Sequence, residues 1–406
     1  LDYGMEFPGD KITSLSTWPE KQLSIYLKHS ADLSDYIVSQ TLIRYRRDNF
    51  TSGDSSTVER YDNEVYLYYF QSLNYSISLL QNFQLDFTED WSMSAGLSIE
   101  NKNLSKGYLK EYGPSVSPDE LDLDTYDWPT VLPNDAHPEW QRRKPNVVGS
   151  YANLKWQPFD NHSVFVGGRL DYDPLFDPVS TLRLGYVARS GEFVAKLLWG
   201  QSYSEPSSRQ MFGAWSAMAD NAELAPERSS TLEAVVSYTL ESVEALVDVY
   251  SVRIEDAIVN AGVNQNRKIL GADLQLRTLY SFNSETTLRG YINTTYLITA
   301  SEMETADDGT SSWVTIGDIA PMKLWAGASL QYGDWSAALR GRWIGKRETI
   351  SGNPVGSVDP FLVMDANIRL AGLLEDSVAV SLKVQNLLDS EYYHPGISTA
   401  DAGANP

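Results

Sequence analysis

Along most of the chain, apolar and polar residues alternate one by one. From Leu73 to Phe87 the odd positions read Leu73, Tyr75, Ile77, Leu79, Gln81, Phe83, Leu85 and Phe87, and the even ones Asn74, Ser76, Ser78, Leu80, Asn82, Gln84 and Asp86. A period of two is what a strand with one apolar and one polar face produces, and an amphipathic helix with its period of 3.6 cannot imitate it. The split recurs at Val164, Val166, Gly168 and Leu170 against Arg169 and Asp171, and at Leu274, Leu276, Thr278 and Tyr280 against Asp273, Gln275 and Arg277. It returns at Trp335, Ala337, Leu339, Gly341 and Trp343 against Arg340 and Arg342, at Leu362 to Leu370 against Asp365 and Arg369, and at Val378 to Val384 against Lys383. The pattern predicts an all-β, antiparallel protein.

The connections alternate too. Short turns are expected near Asp32, at Thr88-Glu89-Asp90, Asp160-Asn161 and Ser190-Gly191, near Glu241, at Asn283-Ser284 and Gly333-Asp334, and near Glu375. Longer polar segments fall between them, at about 48–64, 104–143, 203–225, 255–266, 301–318 and 349–360, with only Asp173 to Pro178 short on that side. Tight turns at one end and long loops at the other are the arrangement of a transmembrane β-barrel. The tracts often exceed the roughly 5–6 residues of a soluble strand and approach the roughly 9–11 that a tilted membrane strand needs. Aromatics cluster beside the short turns, as Phe87 and Trp91, Trp156 and Phe159, Tyr280 and Phe282, and Tyr332 and Trp335, as an interfacial girdle requires. About sixteen strands are expected. The first would run from the long-loop end and the last back to it, so residues 1–406 read as an internal portion of a larger barrel, because an unpaired edge facing hydrocarbon is costly.

Composition narrows the function. With 54 acidic and 32 basic residues the net charge is -22, which disfavours nucleic acid as a partner. The absence of cysteine removes thiolate metal sites, iron–sulfur clusters and cysteine nucleophiles. No stretch has the roughly 18–20 consecutive apolar residues of a helical span.

Several segments resemble the TonB-dependent receptors, the energised outer-membrane transporters of Gram-negative bacteria. Asn386-Leu387-Leu388-Asp389-Ser390-Glu391-Tyr392 is similar to the family's penultimate-strand ending. Gly200-Gln201-Ser202-Tyr203-Ser204-Glu205-Pro206-Ser207 resembles its Gly–aromatic–Pro-Ser segment. Asn221-Ala222-Glu223-Leu224-Ala225-Pro226-Glu227, followed by Glu233, resembles its Asn-Pro-x-Leu-x-Pro-Glu run, departing from it at Ala222, and Gly271-Ala272-Asp273 loosely matches a Gly-x-Glu that opens a later strand. The resemblance, carried by residues 144–395, implies a 22-stranded barrel, an N-terminal plug and a TonB-binding box. Neither plug nor box is expected within this sequence, nor is the terminal strand. It also implies uptake of a scarce, bulky solute, a ferric siderophore by family base rate, with TonB, a small-molecule metal chelate, and outer-membrane lipid and lipopolysaccharide as partners. No bound cofactor is implied.

On that reading Arg169, Arg183, Arg277, Arg289, Arg340, Arg342 and Arg369 line the lumen, as structural ion pairs or as partners of a plug or an anionic ligand. Ligand contacts in external loops are expected from Tyr112, Trp128, Trp140, Arg142, Tyr203, Arg209 and Trp215, although loops folding on themselves would use the same residues. Asp119, Asp122 and Asp124 lie in an acidic run that a calcium ion or plain solvent would suit, and the run lacks EF-hand spacing. Catalytic signatures are not found, and His162 beside Ser163 would point to opposite strand faces, so no enzyme activity is expected. A passive porin or polysaccharide channel and a surface adhesin barrel are the alternatives.

Overall fold

The structure is a computed structural model that describes residues 20–51, 57–61, 64–105, 108–116, 142–143, 146–206, 211, 223–259, 263–306, 308–349, 355–375 and 377–394. The strands in chain order are β1 (Glu20–Ser34), β2 (Ile37–Thr51), β3 (Thr57–Tyr61), β4 (Glu64–Asp86), β5 (Trp91–Ser105), β6 (Tyr108–Val116), β7 (Arg142–Arg143) and β8 (Asn146–Phe159). They continue as β9 (His162–Tyr172), β10 (Val179–Ser190), β11 (Phe193–Ser204), β12 (Glu227–Thr239), β13 (Val243–Val259), β14 (Val263–Ser281) and β15 (Thr286–Thr305). The last are β16 (Ser311–Thr315), β17 (Met322–Tyr332), β18 (Trp335–Ile344), β19 (Arg347–Glu348), β20 (Ser357–Val358), β21 (Phe361–Leu373) and β22 (Val378–Val384).

Sixteen of these form one antiparallel meander in which each strand pairs with the next, from β1 through β2, β4, β5 and then β8 to β15, and on through β17, β18 and β21 to β22. Among the described residues β1 pairs only with β2 and β22 only with β21. The other six strands are short pieces of the connections.

At one end the strands are joined by residues 35–36, 87–90, 160–161, 191–192, 240–242, 282–285, 333–334 and 374–377. The first of these turns lies slightly beyond the expected Asp32. Local chemistry builds them. Asn283 Oδ1 accepts the N–H groups of Glu285 (2.9 Å) and Thr286 (2.8 Å), and Gly191 and Gly333 supply φ of 55° and 51°, which favours glycine. At the other end, segments read from composition as loop are partly strand. β13 continues to Val259 and β14 begins at Val263, inside the expected loop 255–266, while β15 reaches Thr305 and pairs with β16 inside 301–318. Backbone pairing needs no apolar face, so a hairpin standing in water has a loop's composition. Gly271 likewise sits within β14 rather than opening it.

The two faces are inverted relative to a water-soluble protein. Leu182, Leu184 and Leu197 project from one face and are 53%, 50% and 53% exposed, whereas Asp171 and Thr181 on the other are 4% and 6% exposed. Side chains converge on the concave side of a curved sheet and splay on the convex side, so the enclosed polar face is the lumen. On the outward face the apolar rows end in aromatics beside the short turns. Trp91 stacks on Trp156 at 5.2 Å, Phe193 meets Tyr238 at 4.4 Å, and Tyr280 meets Phe282 edge to face at 4.8 Å.

Candidate functional site in the barrel lumen

The inward face divides into zones of different charge logic. Toward the long-loop end, cations are committed to carboxylates. Arg169 donates from Nε and Nη2 to both oxygens of Asp171, each at 2.6 Å, above Gly149, where no side chain intrudes. Lys102 reaches Glu205 at 2.7 Å and Asp173 at 3.5 Å, tying β5 to the short 173–178 link and to the start of the β11–β12 connection. Arg267 pairs with Glu302 at 2.8 Å. Tyr203, one of the residues expected either to contact ligand or to serve loop packing, lies within reach of the Asp171 carboxylate.

Toward the short turns the cations stand open. Register brings Arg277, Tyr291, Gly327, Arg340 and Asp365 into one row across β14, β15, β17, β18 and β21. The neighbouring row carries Arg289, Ser329, Ala338, Asn367 and Lys383. Arg340 lies 3.4 Å from Asp365 and Arg277 only 3.9 Å from Glu244, with 57% and 61% of the two arginine side chains exposed. Arg289, Arg369 and Lys383 make no ion pair among the described residues. Around Arg289 and Lys383 opens a cavity of about 480 Å³ that also includes Arg340, Tyr291, Asp365 and Asn367. A second cavity, of about 620 Å³, holds Arg183 with Lys155, Asn153, Gln84, Thr231 and Glu233.

Between the zones lies an acidic patch. Asp248 of β13 faces Asp273 of β14 in direct register, and one oxygen of each is enclosed without a hydrogen-bond donor. Like charges placed opposite each other on paired strands destabilise the pairing unless a cation intervenes.

Glycines let this wall stay thin. A Cβ on Gly96 would lie 2.5 Å from Tyr151 Cε1, one on Gly327 2.6 Å from Tyr291 Cε1, and one on Gly271 2.6 Å from the Tyr250 hydroxyl. Each tyrosine lies flat across the neighbouring strand's glycine, and Tyr151 is pinned there by donating to Asn82 Oδ1 at 2.7 Å. The spacing of glycines and tyrosines along the sequence carries no sign of this, because the partner is set by register.

The Asn386–Tyr392 segment acts as a structural knot. Asn386 Nδ2 donates to Ser390 O (3.1 Å), its Oδ1 accepts from Ser390 N (2.9 Å), and its own N–H reaches Asp365 Oδ1 (3.1 Å). Asn386 and Asp389 both take φ of 51°. Leu387 and Leu388 are exposed, at 47% and 53%, and Leu387 N continues the pairing to Met364 O at 2.7 Å. Beyond it Tyr392 stacks on Phe361 at 4.4 Å, and Arg342, expected to line the lumen, lies 5.9 Å from the Tyr392 ring. Arg347, 6% exposed, donates to Tyr393 O at 2.7 Å and meets His394 Nδ1 at 3.2 Å. Sequence reading passed over Arg347, which stands in no motif. In the β16–β17 connection burial pushes the Asp318 carboxyl up, against the opposing pull of Arg347, and burial pushes the Arg347 guanidinium down, against Asp318.

Trp128, Trp140, Arg209, Trp215 and the acidic Asp119, Asp122 and Asp124 lie outside the described residues. Tyr112 and Arg142 are described only as backbone, in β6 and β7.

A sixteen-stranded antiparallel wall with a charged, enclosed inner face and an apolar, exposed outer one is the architecture of the transmembrane β-barrel class. The chain belongs to a particular family within it. Residues 3–387 match the family described as TonB dependent receptor-like, beta-barrel, whose barrels are outer-membrane proteins. Similar folds include the copper transporter OprC (16% identity, TM-score 0.65, covering 92% of this chain and 61% of that one). The ferric citrate transporter FecA in its unliganded form is similar at 12% identity and TM-score 0.66, covering 92% and 57%. The ferric yersiniabactin uptake receptor FyuA from Yersinia pestis is similar at 13% identity and TM-score 0.63, covering 94% and 60%. The chain thus spans about three-fifths of these proteins' length. No curated protein sequence matches it.

Proposed function

We propose that this chain forms the wall of a TonB-energised outer-membrane transporter whose cargo is an anionic metal chelate, a ferric siderophore being the leading candidate. The observation that carries the reading is the open basic zone. In a protein of net charge -22, Arg277, Arg289, Arg340, Arg369 and Lys383 share neighbouring rows of the lumen, and among the described residues only Glu244 and Asp365 form ion pairs with them. Several cations kept without carboxylates inside a low-dielectric wall focus a positive potential that attracts a chelate carrying carboxylate or catecholate oxygens. The acidic patch of Asp248 and Asp273 offers counter-charge to a cationic side chain of a plug filling the lumen. External loops would capture the chelate, and TonB would displace the plug.

The test uses the full-length protein in cells lacking their other iron receptors and supplied with radioiron as citrate, catecholate or hydroxamate complexes. Uptake of at least one anionic complex should depend on TonB and fall about tenfold in a R289E/R340E double variant, a change worth about 1.4 kcal/mol. Uptake that persists without TonB, together with steady large conductance in a planar bilayer, would instead identify a passive pore.

A further inference from the structure

At the long-loop mouth of the lumen, one short segment is held down by a contact that only a neutral imidazole can make. β21 starts at that end, and Phe361, its first residue, lies on the inward face in parity with Val363, Asp365 and Arg369. After β22 the chain knots at Asn386 and runs back along the start of β21. There Ser390 Oγ donates to Leu362 O at 2.6 Å and Tyr392 stacks on the Phe361 ring at 4.4 Å. His394 stands edge-on to both rings, 6.0 Å from Phe361 and 5.6 Å from Tyr392. Phe361 is buried beneath this cover.

Arg347 of β19 fastens the segment. Its Nη2 donates to Tyr393 O at 2.7 Å, its Nη1 meets His394 Nδ1 at 3.2 Å, and its Cζ lies 5.4 Å from the Phe361 ring. Its Nε has no partner among the described residues, so the bonds that hold this buried guanidinium go to residues 393 and 394. A guanidinium can only donate. His394 Nδ1 must therefore accept, and the imidazole carries its proton on Nε2. A second proton would set N–H against N–H and add a positive charge beside Arg347.

The other charged and titratable groups nearby do not offset that charge. Arg342 of β18 lies 6.0 Å from the Phe361 ring and donates to the Tyr392 hydroxyl at 3.5 Å, and Glu391 accepts from the Tyr393 hydroxyl at 2.9 Å. Asp318, in the β16–β17 connection, acts on Arg347 from a distance. Val358 of β20, opposite Arg347, is apolar. No carboxylate forms an ion pair with Arg342, Arg347 or His394 among the described residues. Imidazole is the side chain whose ordinary titration falls between pH 5 and 8.

We propose that His394 and Arg347 form a proton-sensitive latch. With the imidazole neutral, residues 391–394 are pinned over Phe361 at the mouth of the lumen; with it protonated, they swing free. His394 is exposed, so protons of the medium reach it directly. The Asn386–Ser390 hydrogen bonds contain no titrating group, so the knot holds and the movement stops there. Release uncovers two rings and a cation, Phe361, Tyr392 and Arg342, on the inward side of the rim. The latch is a property of the fold and does not depend on which cargo the barrel takes.

The experiment uses the full-length protein in micelles with one nitroxide attached through Y393C, an exposed position in a stretch of 406 residues that has no cysteine of its own. Spin-label line shapes at pH 7.5 and pH 5.5 read the mobility of the segment. The mobile fraction should rise about fivefold at pH 5.5, as the loss of a single hydrogen bond gives. H394N keeps an acceptor for Arg347 and does not titrate, so its label should stay immobile at both pH values. H394R carries a permanent charge and should be mobile at both, with an unchanged heat-modifiable gel shift establishing that each variant is folded. A wild-type label equally immobile at both pH values would overturn the latch. So would the same rise in H394N, which would assign the change to another group, or an H394R label as immobile as that of wild type at pH 7.5.

Discussion

Among the described residues, the two ends of the lumen use their charges in opposite ways. Near the long loops, Asp171 and Asp173 are 4% and 6% exposed and each is held by a cation, through Arg169 at 2.6 Å and Lys102 at 3.5 Å. Near the short turns, Arg277 and Arg340 are more than half exposed and Arg289, Arg369 and Lys383 have no carboxylate partner among the described residues. A paired charge fixes one strand to another and is spent on geometry. An exposed charge that forms no close pair is available to something that arrives.

The contrast can be broken most directly by removing one arginine from each end. Arg169→Ala strands the buried Asp171 carboxylate. A cost of roughly 2–3 kcal/mol is expected, below the ~3–5 of a fully enclosed pair because Arg169 is 42% exposed. Arg289→Ala should stay within about 0.5 kcal/mol. Urea unfolding of the full-length protein in micelles, followed by tryptophan fluorescence, reads both, and equal costs would erase the distinction. Transport should rank them in reverse, with Arg289→Ala losing chelate uptake and Arg169→Ala retaining it in whatever protein folds.

The faces of the wall sharpen the comparison. Gly96→Val on the inward face must displace Tyr151 and with it the Asn82 hydrogen bond, at a cost of roughly 1–3 kcal/mol. On the outward face a Cβ at Gly341 meets nothing nearer than Leu362 Cδ1 at 3.7 Å, so Gly341→Val should be close to neutral. The same urea titration separates them, and a neutral Gly96→Val would show that Tyr151 is free to move. The Asn386 knot is intermediate: Asn386→Ala removes two hydrogen bonds within the segment, at about 1–2 kcal/mol. Proteolysis after Ser390 should accelerate while the rest of the barrel stays resistant.

How much of this was legible without coordinates follows from which forces act locally. The number of long strands and the turns at 160–161, 191–192 and 333–334 follow from alternation and turn residues, because a face turned toward lipid imposes its period on every residue of a strand. The hairpins at the other end escaped, since β13 beyond Arg253 loses its alternation of apolar and polar residues. The inward arginines could be recognised by parity, and Asp171 stands two positions from Arg169 on the same face, but nothing in the sequence says that those two pair while Arg289 forms no ion pair among the described residues. Tyr203 and Arg347 show the same gap: the nearness of Tyr203 to Asp171 is set by register across β9 to β11, and Arg347 stands in no motif yet anchors the rim.

The smallest expected effect concerns Asp318, a rim carboxylate that belongs to neither class. It faces Arg347 without a strong pair, one of its oxygens is enclosed without a donor, and its φ of 67° restricts the residue to types that tolerate left-handed backbone. Burial raises its folded pKa above the unfolded value. Its contribution to stability is therefore fully present below the unfolded pKa and is lost as pH rises through the folded one, so the stability of wild type relative to a variant without this carboxyl should rise as pH falls through the carboxylate range. Asp318→Asn keeps the backbone conformation and removes the titrating charge. Its stability should vary less with pH across that window and match or exceed wild type at pH 7 by no more than about 0.5 kcal/mol, the attraction to Arg347 being lost in exchange. Paired urea midpoints at pH 4.5 and pH 7 measure the difference. A variant clearly less stable than wild type at pH 7 would mean that the Arg347 attraction outweighs burial, which would place Asp318 with the paired charges of the outer lumen.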